Sequence, residues 1–152
     1  MSATGLESID HTVQLTHLWI NDLDTRLGWE NRPRAYRLLK SVLRAVRDWL
    51  PINEAVDLGA QLPALLRGAY YEQWHPAATP VAERSRADFI ARVNRDFRTD
   101  PLIATDEAVT FVFDLLNDKI SGGEIADVRQ ALPRDVRMLW PEPVGAVQRR
   151  AS

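Results

Sequence analysis

One stretch of this chain returns once, at a fixed distance, and that return limits what the chain can fold into. Gln61-Leu62-Pro63-Ala64-Leu65-Leu66-Arg67-Gly68-Ala69-Tyr70 comes back as Ala131-Leu132-Pro133-Arg134-Asp135-Val136-Arg137-Met138-Leu139-Trp140, an offset of 70 residues. The same offset carries Glu54 onto Glu124 and Asp57 onto Asp127. Upstream it carries Trp19, Ile20, Leu23 and Leu27 onto Phe89, Ile90, Val93 and Phe97. It also carries Leu39, Val42, Leu43, Val46 and Leu50 onto Val109, Val112, Phe113, Leu116 and Ile120. The spacings within each set are those of one helix face. An ungapped apolar register across three expected helices reads as an internal duplication. Each copy is about 60 residues, too long for most solenoid repeats, so two small helical units packed on a shared core are expected rather than an open array.

The pattern along the chain is helical throughout, with no sustained strand alternation. Residues 1–9 are expected to be flexible. The first repeat covers 10–74. It has a helix from Asp10 to Leu27 stopped by Gly28, and a second helix to Trp49 capped by Asn31, with Pro33 in its first turn. A short helix over 52–60 and another opened by Pro63 complete it. His75-Pro76-Ala77-Ala78-Thr79-Pro80 is the linker. The second repeat, 81–141, starts with a helix from Val81 to Phe97. Thr105 caps the next helix, and Ser121 with Glu124 has capping-box spacing ahead of a third. Residues 142–152 form a flexible tail. The expected fold is all-α, with about four helices per copy. Trp19, Trp49, Tyr70 and Trp140 are placed in the core, and Trp29, Tyr71 and Trp74 near loops or helix ends.

Several function classes lose support at once. The chain has 152 residues, enough for one domain with a real core. No apolar run approaches the roughly 18 to 20 residues of a membrane span. The N-terminus lacks the basic and apolar regions of a signal peptide, and there is no cysteine, so a cytoplasmic protein without thiol chemistry is expected. A net charge of −2 gives no general attraction to nucleic acid or anionic lipid. His11 and His17 are about 120° apart on a helix and do not share the face a metal needs. No phosphate loop and no nucleophile–base pair stands out, so no catalytic, cofactor or metal residue is nominated and no enzyme is expected.

Two polar sets remain. Arg67 with Glu54 and Asp57, and Arg137 with Glu124 and Asp127, read as structural ion pairs, each arginine meeting a carboxylate of its own copy. Arg37, Lys40, Arg44 and Arg47 lie within about 80° of one another on the helix over 33–49, opposite its apolar side. Their counterparts Glu107, Thr110, Asp114 and Asn117 are mildly acidic. This basic stripe is the candidate partner-binding face.

Taken together, Leu27-Gly28-Trp29, Arg34-Ala35-Tyr36-Arg37, Leu43-Arg44-Ala45-Val46-Arg47-Asp48, Leu50-Pro51, Glu54-Ala55, Gln61-Leu62-Pro63, Leu66-Arg67-Gly68, Tyr70-Tyr71 and Trp74 closely resemble a bacterial family of unknown function, DUF2267. The resemblance covers about residues 8–141, and Leu132-Pro133 and Arg137 of the second copy fit it too. It implies a small, soluble, all-helical protein and no activity. The leading expectation is a non-enzymatic protein-interaction or self-associating module. The alternatives are nucleic-acid binding through the basic helix, against which the acidic balance stands, and a small-molecule site in a cleft between the repeats.

Overall fold

The computed structural model describes residues 5–143. Helices α1 (Glu7–Leu27), α2 (Arg32–Trp49), α3 (Ile52–Ala60) and α4 (Ala64–Tyr71) make the first half. A 3₁₀ turn, Pro76–Ala78, precedes α5 (Arg86–Arg95), α6 (Thr105–Lys119), α7 (Gly122–Ala131) and α8 (Arg134–Arg137). The fold is all-α, with no strand among the described residues. None of these helices is long and apolar enough to cross a membrane.

Local chemistry explains most boundaries. Gly28 adopts φ 67°, the left-handed conformation that closes a helix, and its N–H reaches the carbonyls of Asp24 and Thr25. The Asn31 side chain accepts from the Arg34 N–H, and Ser121 accepts from the Glu124 N–H. Pro51, Pro63 and Pro133 each stand just before the helix that follows.

Other boundaries depart from expectation. Residues 7–9 of the stretch expected to be flexible are helical, and residues 1–4 lie outside the described ones. The first helix of the second half begins at Arg86, not Val81. Val81 donates its N–H to the Asp48 carbonyl at 2.9 Å, which ties residue 81 to the end of α2, and Ser85 supplies the cap. Ala104, not Thr105, holds the N-cap position of α6, and the Thr105 hydroxyl donates instead to Asn94 at 2.6 Å. Pro141, the last residue of the second repeat, is held by the Asn117 side-chain amide at 2.9 Å; of the expected tail 142–152, residues 144–152 lie outside the described ones.

Helix α2 is the centre of the molecule. It packs against α1, α3, α4, α5 and α6. Leu38, Leu39, Val42, Leu43 and Val46 are wholly enclosed, each worth about 1.5 to 3 kcal/mol of burial. Trp19, Trp49, Tyr70 and Trp140 are buried, whereas Trp29, Tyr71 and Trp74 are half-buried at the core's margin. An aromatic chain links the halves: Trp49 meets Phe89 edge-on at 5.3 Å, Phe89 meets Phe113 at 6.1 Å, and Phe113 stacks on Trp140 at 4.1 Å.

Three helix boundaries keep the 70-residue offset: α2 and α6 end at Trp49 and Lys119, α3 and α7 start at Ile52 and Gly122, and α4 and α8 start at Ala64 and Arg134. The packing also pairs like with like. Helix α1 lies on α6 as α5 lies on α2, and α2 meets α6 as α3 meets α7.

Candidate docking groove

The fold first settles what the basic stripe does. Arg47 is 2% exposed and donates to the carbonyls of Tyr70 and Glu72, at 2.6 and 2.9 Å, and to the Asp48 carboxylate. Arg44 donates to the Ala69 carbonyl at 2.9 Å and pairs with Glu72. Both arginines therefore serve the last turn and the exit of α4, where the carbonyls lack helical donors and the dipole favours a cation. Arg37 forks onto both oxygens of Asp100, at 2.9 and 3.1 Å, and lies over the Phe97 ring. That contact holds the Asp100 carboxyl below its usual range. Lys40 sits over the Tyr36 ring at 4.3 Å. Of the candidate partner-binding stripe, Arg44 and Arg47 serve as internal fastenings, whereas Arg37, its side chain 41% exposed, and Lys40 remain partly open to the surface.

The counterparts in α6 do parallel work with neutral groups. The Thr110 hydroxyl donates to the Leu139 carbonyl at 2.9 Å, and Asn117 joins the Pro141 carbonyl and the Trp140 indole N–H. Asp114 meets Arg26 of α1, which also bonds Asp22 and Asp118. The contrast in charge between the two helices reflects two ways of tying down the helix that ends each half.

The candidate ion pairs resolve differently as well. Arg67 donates to the carbonyls of Gly59, Ala60 and Leu62, at 2.8, 3.4 and 2.8 Å, and so caps α3. Arg137 donates to Gln130 and Leu132, at 3.2 and 3.1 Å, and caps α7 in the same way. No carboxylate partner of either arginine occurs among the described residues. Glu54, Asp57, Glu124 and Asp127 instead gather where α3 packs on α7. Burial, then Asp57, Glu54 and Asp127, push Glu124 up to about 7. Burial, then Asp127 and Asp57, raise Glu54.

His11, His17 and His75 are all exposed. Among the described residues, no group of three or more His, Asp or Glu side chains is placed to hold a metal ion.

A groove of about 440 Å³ opens at the surface between the halves. Leu27, Trp29 and Arg34 form one wall, and the segment from Leu102 to Phe111 forms the other. Ile103 stands at its edge fully exposed, and Phe111 is 37% exposed. The connection that carries Ile103 is anchored at both ends. Arg34 donates to the carbonyls of Asp100 and Pro101, at 3.0 and 3.2 Å, and Thr105 holds Asn94. Arg34 also lies 5.3 Å from the centroid of the Trp29 ring, which fixes that wall. Sequence reading missed Ile103 and Phe111. The available signal was the register itself, since Leu102, Ile103 and Phe111 stand where the first half has Arg32, Pro33 and Ser41.

Residues 16–139 match the family model for an uncharacterized conserved protein, DUF2267. The chain belongs to this family. No curated protein matches it. Family membership agrees with the resemblance read from the motifs around Trp29, Pro63 and Arg67, and it assigns no reaction to the groove.

Proposed function

We propose that this chain is a non-enzymatic interaction module that self-associates through the groove between its halves, with Ile103 of each copy entering the groove of the other. The exposure of Ile103 on an anchored connection carries this reading. A surface with both a protruding apolar residue and an apolar slot is self-complementary under a two-fold axis. Its rims differ in charge. Arg34 lies on one side and the exposed Glu107 on the other, so a two-fold pairing that crosses the walls sets unlike charges together. Trp29 and Phe111, in the walls that Ile103 would meet, are of the aromatic types enriched at interface cores.

The basic helix gives little support to nucleic-acid binding, because its arginines are engaged inside the fold. The groove does lie between the halves, as a small-molecule site would, but nothing in its lining converges on one ligand group. Sedimentation of wild type and Ile103→Asp across a concentration series tests the reading. The wild type should show a dimer, and the substitution should raise its Kd at least about thirtyfold, the equivalent of roughly 2 kcal/mol at a central anchor. Because the contact is largely apolar, the dimer should persist at high salt. A wild type that stays monomeric at every concentration, or an Ile103→Asp variant that associates equally well, would refute it.

A further inference from the structure

Glu54 and Glu124 hold the same register position in the two halves, and the packing of α3 on α7 brings them into one cluster with Asp57 and Asp127. Glu54 Oε2 and Glu124 Oε1 are each enclosed without a hydrogen-bond partner. An ionised carboxylate in that condition is costly, and a protonated one costs much less. The cations that would neutralise the cluster face elsewhere: Arg67 and Arg137 hold the carbonyls at the ends of α3 and α7.

We infer that the α3–α7 contact is a proton-operated clasp between the two halves, closed while a glutamic acid of the pair holds a proton and loosened when both are ionised. This inference stands apart from the self-association groove and does not depend on it.

The groups around the pair are mostly acidic. Helix α3 contributes Glu54 and Asp57, and α7 contributes Glu124 and Asp127. From α4, the Tyr70 hydroxyl donates to the Ala55 carbonyl at 2.7 Å and stays protonated, its pKa raised by burial. At the end of α2, Asp48 is taken by Arg47 and Arg92. At the end of α6, Lys119 pairs with Asp22 of α1. No cation appears among the influences on Glu124.

The sign follows from linkage. Glu124 has a folded-state pKa of about 7, above its ordinary 4.5. The folded state therefore binds this proton more tightly than the unfolded chain does. The stabilisation is complete below about 4.5 and is lost as pH rises through about 7. The clasp thus works close to neutral pH.

Hydrogen exchange of the α3 and α7 amides in wild type, Glu54→Gln and Glu124→Gln tests this, with rates corrected for the intrinsic effect of pH. Between about pH 5.5 and about pH 8, wild-type protection of these two helices should fall up to about tenfold, while the core amides of α2 should not change. Glu124→Gln keeps the shape without the charge, so its protection should lose most of that dependence. A carboxyl NMR titration of wild type is the second readout, and Glu124 should titrate near neutral. Protection independent of pH in wild type, an unchanged dependence in Glu124→Gln, or an ordinary Glu124 titration would each overturn the inference.

Discussion

Arg47 offers the sharpest test of how this fold is fastened. It is 2% exposed in the central helix and makes three hydrogen bonds: to the Tyr70 carbonyl at 2.6 Å, the Glu72 carbonyl at 2.9 Å and Asp48 Oδ1 at 2.9 Å. Arg47→Ala would remove its donors from the Tyr70 and Glu72 carbonyls, while Arg44 would still hold the Ala69 carbonyl. Asp48 would keep only Arg92, at 3.7 Å. A hydrogen bond to a charged group is worth about 1.5 to 3 kcal/mol, and the carbonyls left enclosed add a desolvation cost. Three bonds share one side chain and are not additive, so about 3 to 5 kcal/mol is expected, as for a broken buried pair. At an unfolding entropy of about 2.1 cal/mol/K per residue, that lowers Tm by roughly 9 to 15 °C in a domain of this size. Urea and thermal unfolding followed by circular dichroism measure it. Arg47→Lys should fall between, because an ammonium keeps the charge but cannot fork to several carbonyls at once. Arg32→Ala, at an exposed position, is the control and should change stability by less than about 0.5 kcal/mol. If Arg47→Ala melts within about 2 °C of wild type, the fastening of α4 lies elsewhere and the argument fails.

Two further outcomes are expected. Arg67→Ala should destabilise by about 1 to 3 kcal/mol and Arg137→Ala by less, since Arg67 serves three carbonyls and Arg137 two; charge-reversing Asp57→Lys should leave Arg67's contribution unchanged in a double-mutant cycle, because the arginine holds backbone and not carboxylate. Residues 12–72 should superpose on 82–142 by a pseudo-two-fold or a screw-like rotation, with Leu62 on Leu132 and Pro63 on Pro133, when the two halves are fitted in a crystal structure; a fit no better than that of unrelated helix hairpins would remove the idea of duplication.

Much of the fold was legible because its signals are local. Gly28, Asn31, Pro51 and Ser121 each act within one turn of where they stand, and each marks a boundary that the structure keeps. The start of α5 was not legible. Residue 81 is held to the end of α2 by a hydrogen bond from Val81 to Asp48, a contact between distant parts of the chain. The groove was hidden for a related reason. Ile103 and Phe111 look like ordinary apolar positions in a periodic sequence; the register that sets them against Pro33 and Ser41 is a faint signal, and the fold shows that both stay exposed.

The two misread polar sets share one physical cause. Reading charges against charges pairs Arg67 with Glu54 and leaves the stripe on α2 pointing at solvent. Reading helix ends against donors gives a different answer. Helices α3 and α4 carry no basic residue in their own last turns, and neither ends on a glycine in the left-handed conformation. Their last carbonyls therefore need donors from elsewhere in the chain. Arg67 lies on the helix that follows α3, and Arg44 and Arg47 lie on the helix against which α4 packs. In the second half, Arg137 repeats the first solution, while Thr110 and Asn117 replace the second with neutral donors, so the need was retained where the charge was not. With the arginines committed to carbonyls, the four carboxylates have no cation to meet, and the packing of α3 on α7 turns them toward one another. The acidic cluster and the capped helix ends are thus two consequences of the same allocation of donors.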